Sequence, residues 1–184
     1  MSQAIVIKGS GWDDYITSGL AIGDKPSLNP PAFNTFRDGF KRYQYSNGDE
    51  GNFDIHILHN YKAGSKVYPH IHWAMNVAGA TGSGFWRVYY SPAKGYSQQA
   101  FPAEASFDIP ITPEGTQYMH QIDEATEAQA FNTNLEVDSI VMGRVELIAG
   151  TLSHDPFLIE VDFHIESDGR LTNEMNAPFT KRRS

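Results

Sequence analysis

Val67-Tyr68-Pro69-His70-Ile71-His72-Trp73-Ala74-Met75-Asn76-Val77 decides the fold class. Val67, Ile71, Trp73, Met75 and Val77 alternate with Tyr68, His70, His72, Ala74 and Asn76, the period of two that a strand shows when one face is buried. Just upstream, Phe53, Ile55 and Ile57 alternate with Asp54, His56 and Leu58 in the same way. Downstream, after the turn-like residues 79–84, the segment 85–91 is dense in aromatic and β-branched residues, and it is expected to pair with 67–77 as a hairpin.

Further strands are expected over residues 40–45, 105–109, 117–122, 139–149 and 157–166, separated by Pro, Gly, Asn and Asp clusters. Residues 124–131 alone read as helical, and they are too short to set an architecture. Many short strands without alternating helices predict a mainly β chain with less than about a fifth of its residues helical. The expected fold is a single-domain antiparallel β-sandwich, with long irregular connections that favour a jelly roll. Residues 1–52 are rich in breakers and read as an extended N-terminal arm with short strands, 53–170 as the sandwich, and 171–184 as a tail.

Composition narrows the function. The 184 residues carry a net charge of −8, so direct nucleic-acid binding and attachment to anionic membranes are not expected. The basic cluster Lys181, Arg182 and Arg183 falls in the tail and reads as solvated. No cysteine is present, which removes disulfides, thiolate–zinc sites and thiol catalysis together. No secretory signal and no apolar run long enough for a membrane helix stand out, so a cytoplasm-made soluble protein is expected.

His70 and His72, one residue apart on a strand, point to the same face and could reach one metal ion. On residues 157–166, Asp162 and His164 share a face in the same manner. If these strands were neighbours, three imidazoles and a carboxylate would converge, a donor set adequate for zinc or a related ion. The metal set read from the sequence is therefore His70, His72 and His164, against the ordinary reading of solvent- or partner-facing positions on half-buried strands. The ordinary reading is preferred, and no cofactor is assigned. No nucleophile elbow, phosphate loop or dinucleotide fingerprint occurs, and no catalytic residue is assigned. The acidic pairs Asp13-Asp14, Asp49-Glu50 and Asp123-Glu124 read as solvated loop charges without a role.

Two resemblances bear on function. Gly64, five residues and then His70-Ile71-His72 is similar to the opening of the first cupin motif, which implies a metal-dependent enzyme using both histidines; the Glu that completes that motif is missing, since none occurs before Glu104. More of the chain resembles a family of small virion structural proteins of tailed phages. The carrying residues are Pro69-His70-Ile71-His72-Trp73 after Asn60-Tyr61-Lys62-Ala63-Gly64-Ser65, the ending Glu160-Val161-Asp162-Phe163-His164 to Asp168-Gly169-Arg170 with Lys181, and Trp12-Asp13-Asp14 with Pro31 and Phe33. This resemblance implies a capsid-decoration or tail-associated component of the virion. Such a protein works by assembly with other virion proteins and with copies of itself, not as an enzyme. A carbohydrate-binding jelly roll, suggested by Trp12, Trp73 and Trp86, ranks below both, because Trp73 lies on the face assigned to the core.

Ile71, Trp73, Ile159, Val161 and Phe163 are the expected core on this phase. Replacing Trp73 by Ala should cost roughly 3–5 kcal/mol, the usual penalty for emptying a buried aromatic site. Urea titration of the variant beside the parent measures it, and equal midpoints would mean that the phase is wrong.

Overall fold

A computed structural model describes residues 28–126 and 135–167 in full and 11–18 as backbone. Among the described residues ten strands run β1 (Gly11–Ser18), β2 (Ala32–Arg37), β3 (Phe40–Gln44), β4 (Glu50–His56), β5 (Val67–Ala74), β6 (Gly84–Ala93), β7 (Ala105–Ile111), β8 (Gln121–Glu124), β9 (Ile140–Ile148) and β10 (Phe157–Ser167). One sheet has the order β2-β3-β10-β5-β8, with β1 also paired to β10, and the other is β4-β9-β6-β7. Every pairing is antiparallel, and there is no helix among the described residues.

The pairings β3 with β10, β4 with β9, β5 with β8 and β6 with β7 are nested around the β6–β7 turn. The chain is thus one long hairpin of four strands out and four strands back. Rolling it up brings β5 beside β10 and β6 beside β9 and splits the strands between two sheets. This is jelly-roll topology.

Both sheets turn apolar faces inward. Ile71, Trp73, Val161, Phe163 and Ile165 from the first sheet meet Phe53, Trp86, Val88, Val141, Val145 and Leu147 from the second, and all are buried. The Trp73 indole N–H is satisfied inside by Asp123 at 2.6 Å. Tyr45, just after β3, stands edge-on to Trp86 with ring centroids 5.2 Å apart, so the chain before residue 53 contributes directly to this core.

Three sequence expectations are corrected. Segments 67–77 and 85–91 do not form a hairpin, because β5 and β6 lie in different sheets. Each already has both edges filled, β5 by β10 and β8, β6 by β7 and β9, so neither has a free row of backbone groups for the other. The connection instead crosses the sandwich, tied by Tyr118 N–H to Met75 O and Gly79 N–H to Gly115 O, both 2.7 Å. It then approaches the turn after β9 so closely that a Cβ at Gly82 would stand 2.0 Å from Thr151 O.

Ile159 is only partly buried, while Leu158 is fully buried. A bulge between Leu158 and Glu160 inserts one residue opposite β5, so Leu158 faces Trp73 and Val161 faces Ile71 across the ladder. The phase holds for Val161, Phe163 and Ile165 and slips for the two residues before it. Phe157 is thereby turned to the outer face, where Phe36 covers it at 5.2 Å. Last, the strand expected at 117–122 is displaced to Gln121–Glu124, so Glu124 belongs to a strand and not to a helix start; residues 127–131 of the expected helix lie outside the described residues, as does the tail from 171.

Gly143 of β9 faces Phe53 of β4 across the ladder, and a Cβ there would come within 2.2 Å of the Phe53 ring. That ring is itself buried and packed against Phe163, with centroids 5.5 Å apart. Gly143→Ala should therefore lose roughly 1–3 kcal/mol, as overpacked cores do. Urea denaturation reads this directly; a gain from the higher strand propensity of Ala would contradict the packing argument.

Candidate functional site

On β5 the residues between the core positions, Tyr68, His70 and His72, leave the outer face of the six-stranded sheet. The same face of β10 carries Glu160, Asp162, His164 and Glu166. The ladder sets His70 directly opposite Asp162 and His72 opposite Glu160. On the other side of β5, Glu124 of β8 stands opposite His70 and Ile122 opposite His72. Three strands distant in sequence therefore deliver imidazoles and carboxylates to one patch.

The patch is unusually dry for an outer face. His70 is 3% and Asp162 4% exposed. His70 Nε2 contacts Asp162 Oδ1, and His72 Nε2 lies 3.4 Å from Asp162 Oδ2. The rings of His70 and His164 have centroids 4.1 Å apart, those of His70 and His72 4.9 Å. His72 Nδ1 is 2.7 Å from His120 Nε2, and His164 Nδ1 is 2.7 Å from Glu124 Oε1. His70 Nδ1 and His72 Nε2 are buried without a hydrogen-bond partner, and Asp162 Oδ1 meets only His70 Nε2. Orphaned polar atoms at such depth are costly, and two in one cluster need an explanation.

Among the described residues, ligand atoms within 4.8 Å of one another form two groups, His70/His72/Asp162 and His70/Glu124/His164. The set read from the sequence is thus divided. His70 and His72 come together with Asp162, whereas His164 joins them through His70 and is held by Glu124. Sequence reasoning missed His120 and Glu124. His120 precedes β8 in a loop with no pattern of its own, and Glu124 was read as a solvated acid beside Asp123. Asp49 and Glu50 also have partners: Asp49 accepts from the Ser46 N–H at 2.7 Å, and Glu50 pairs with Arg144 at 2.8 Å.

A second outer-face feature lies on the four-stranded sheet. A shallow hollow of about 190 Å³ is lined by Tyr89, Glu104, Met142 and Arg144 among others. Arg144 is already engaged there, between Glu50 and Glu104 and 3.4 Å from the Tyr89 ring centroid. It is a brace across three strands and offers no free charge to a ligand.

No protein-family model matches the chain, and no curated protein matches it. Among solved structures it is similar to part of dimeric latent PorU from Porphyromonas gingivalis, at 8% identity and a TM-score of 0.39 over 91% of this chain and 14% of that one. It is also similar to part of the isomalto-dextranase of Arthrobacter globiformis T6 complexed with panose, at 12% identity and a TM-score of 0.42 over 83% of this chain and 23% of that one. The chain therefore spans less than a quarter of either protein.

Burial, the largest influence, pulls the His72 imidazole below its ordinary value; the Asp162 carboxylate opposes this, and His70 and His120 reinforce it. The folded state then binds that proton less readily than the unfolded chain. Its stabilising contribution is complete above the ordinary histidine value of about 6.5 and is lost as the pH falls from there toward the lowered value. Urea titrations at pH 8 and pH 5.5 should show the parent losing more stability on acidification than His72→Gln does. Equal losses would remove His72 as the cause.

Proposed function

We propose that this chain is a structural component of a tailed-phage virion, a capsid-decoration or tail-associated protein that acts by assembling with other virion proteins and with copies of itself. The observation that carries the assembly reading is the placement of large exposed apolar side chains at the two ends of the six-stranded sheet. At one end the β2–β3 hairpin presents Phe33 at 48% and Phe40 at 65% exposure; at the other, β8 presents Ile122 at 55%. Outermost strands have a free row of backbone groups, and apolar side chains beside that row favour lateral contact with a further chain. The virion setting comes from the resemblance of the Pro69–Trp73 block and of the ending that starts at Glu160. These two segments are neighbours, paired along the middle of the sheet. The net charge of −8 accords with a position away from the packaged genome.

A cupin-like metal-dependent enzyme is the second reading, favoured by the His70–His72 pair. Both imidazoles leave the sheet on its outer face, while the space between the sheets is filled by Trp73, Trp86, Phe53 and Phe163. The interior thus has no room for a substrate beside that pair, which weighs toward assembly.

The purified chain should run at a multiple of its 20.5 kDa in light scattering, and the double variant Phe33→Ser/Phe40→Ser or Ile122→Ser should lower that mass without lowering the melting temperature. Mass spectrometry of tailed particles from the source of the chain should find it in many copies per particle. A monomeric parent that is absent from particles, with a metal-dependent turnover abolished by His72→Gln, would overturn the proposal in favour of the enzyme.

A further inference from the structure

We propose that His70, His72 and Asp162 form a binding site for one divalent transition-metal ion of the zinc class on the outer face of the six-stranded sheet. Nothing in the assembly reading requires this site, and the two stand or fall separately.

The argument starts from what the residues lack. His72 Nε2 and the second ring nitrogen of His70 are buried without a hydrogen-bond partner, and between them the two rings face both oxygens of the buried Asp162 carboxylate. A carboxylate at 4% exposure needs a cationic partner, and an ion held by this carboxylate and the two imidazoles would fill that role. Donor spacing fits an ion. His72 Nε2 to Asp162 Oδ2 is 3.4 Å, close to the edge of a tetrahedron whose metal–ligand arms are about 2.1 Å. His70 Nε2 reaches the other oxygen of the same carboxylate, and all three groups offer ligand atoms within 4.8 Å of one another.

Donor chemistry points to the same class. Two imidazole nitrogens and one carboxylate oxygen suit zinc and its neighbours, whereas calcium and magnesium prefer sets made of oxygen alone. The surrounding contacts are those that orient ligands. His72 meets His120 through Nδ1, and when Nδ1 carries the proton of that 2.7 Å bond the Nε2 lone pair is free for the ion. The ladder fixes His70 against Asp162, so both ligands are held by the backbone of adjacent central strands. Three protein ligands leave a fourth position for water or an outside group. The His164–Glu124 pair, bonded at 2.7 Å with the imidazole tilted against that of His70, forms the wall of the site and is not part of its ligand set.

The test uses the full chain, stripped with a chelator and titrated with Zn²⁺, with Co²⁺ as the optical probe. The parent should take up one equivalent, show the intense visible bands of four-coordinate cobalt and melt at a higher temperature with the ion than without it. His72→Gln and Asp162→Asn, which keep the side-chain volume, should each weaken binding more than about tenfold. The distant His154→Ala should bind like the parent. Circular dichroism of each variant keeps loss of binding separate from loss of fold. Absence of stoichiometric binding by the folded parent would overturn the proposal. So would an ion that survives both His72→Gln and Asp162→Asn, or one that depends on Glu124 while Asp162→Asn leaves it unchanged.

Discussion

The pairing of β5 with β10 is the constraint on which the rest of the structure depends. Their ladder, from Phe157 opposite Ala74 to Ile165 opposite Val67, joins a segment near the middle of the chain to one near its end. Closing so long a loop costs entropy that only a large apolar reward can offset. That reward lies on the inner face, where Ile71, Trp73, Val161, Phe163 and Ile165 are fully buried. A slip of one residue would turn these side chains outward, so the register is held by the core itself.

The same register decides what the outer face contains. With Ile71 against Val161 inside, His70 must stand against Asp162 outside, because strand side chains alternate. Two ionisable groups are thereby brought to near-complete burial on a face that strands commonly leave to solvent. Such a pair is expensive to dehydrate, and hydrophobic replacements would often serve stability as well. Its presence at the centre of the sheet, with further histidines arriving from β8's approach and from β10, is what the proposed metal site would account for. The bulge at Ile159 belongs to the same design, since it leaves Leu158 in the core and turns Phe157 outward under Phe36.

Nested pairing shapes the surface in turn. Rolling one long hairpin into two sheets leaves β2 and β8 as the ends of the larger sheet, and both carry large apolar groups in the open. Proteins that stay monomeric usually blunt such edges with charge or cover them. An assembling protein can use them. In the proposed reading the centre of this sheet and its ends serve different purposes, ion binding in the first case and contact with further chains in the second.

The alternation of Val67, Ile71 and Trp73 was enough to establish a strand, its buried side and the shared face of His70 and His72, since period two follows from local backbone geometry. In the same way Val161 and Phe163 declared their side, and many short strands without helices declared the sandwich. Pairing partners were not legible. The segments 67–77 and 85–91 look like a hairpin because hydrogen-bonding edges leave no mark on sequence, and only the folded chain shows both edges of each strand already taken. The slip at Ile159 was hidden for a related reason, as an extra residue in a ladder is defined by the opposing strand. His120 and Glu124 entered the site from 48 and 52 residues beyond His72 through tertiary contact alone. Outside the bulge at Ile159, local alternation was enough to say which residues share a face, a property of one strand; which faces meet depends on where distant strands find apolar surface to bury, and only the folded chain shows that.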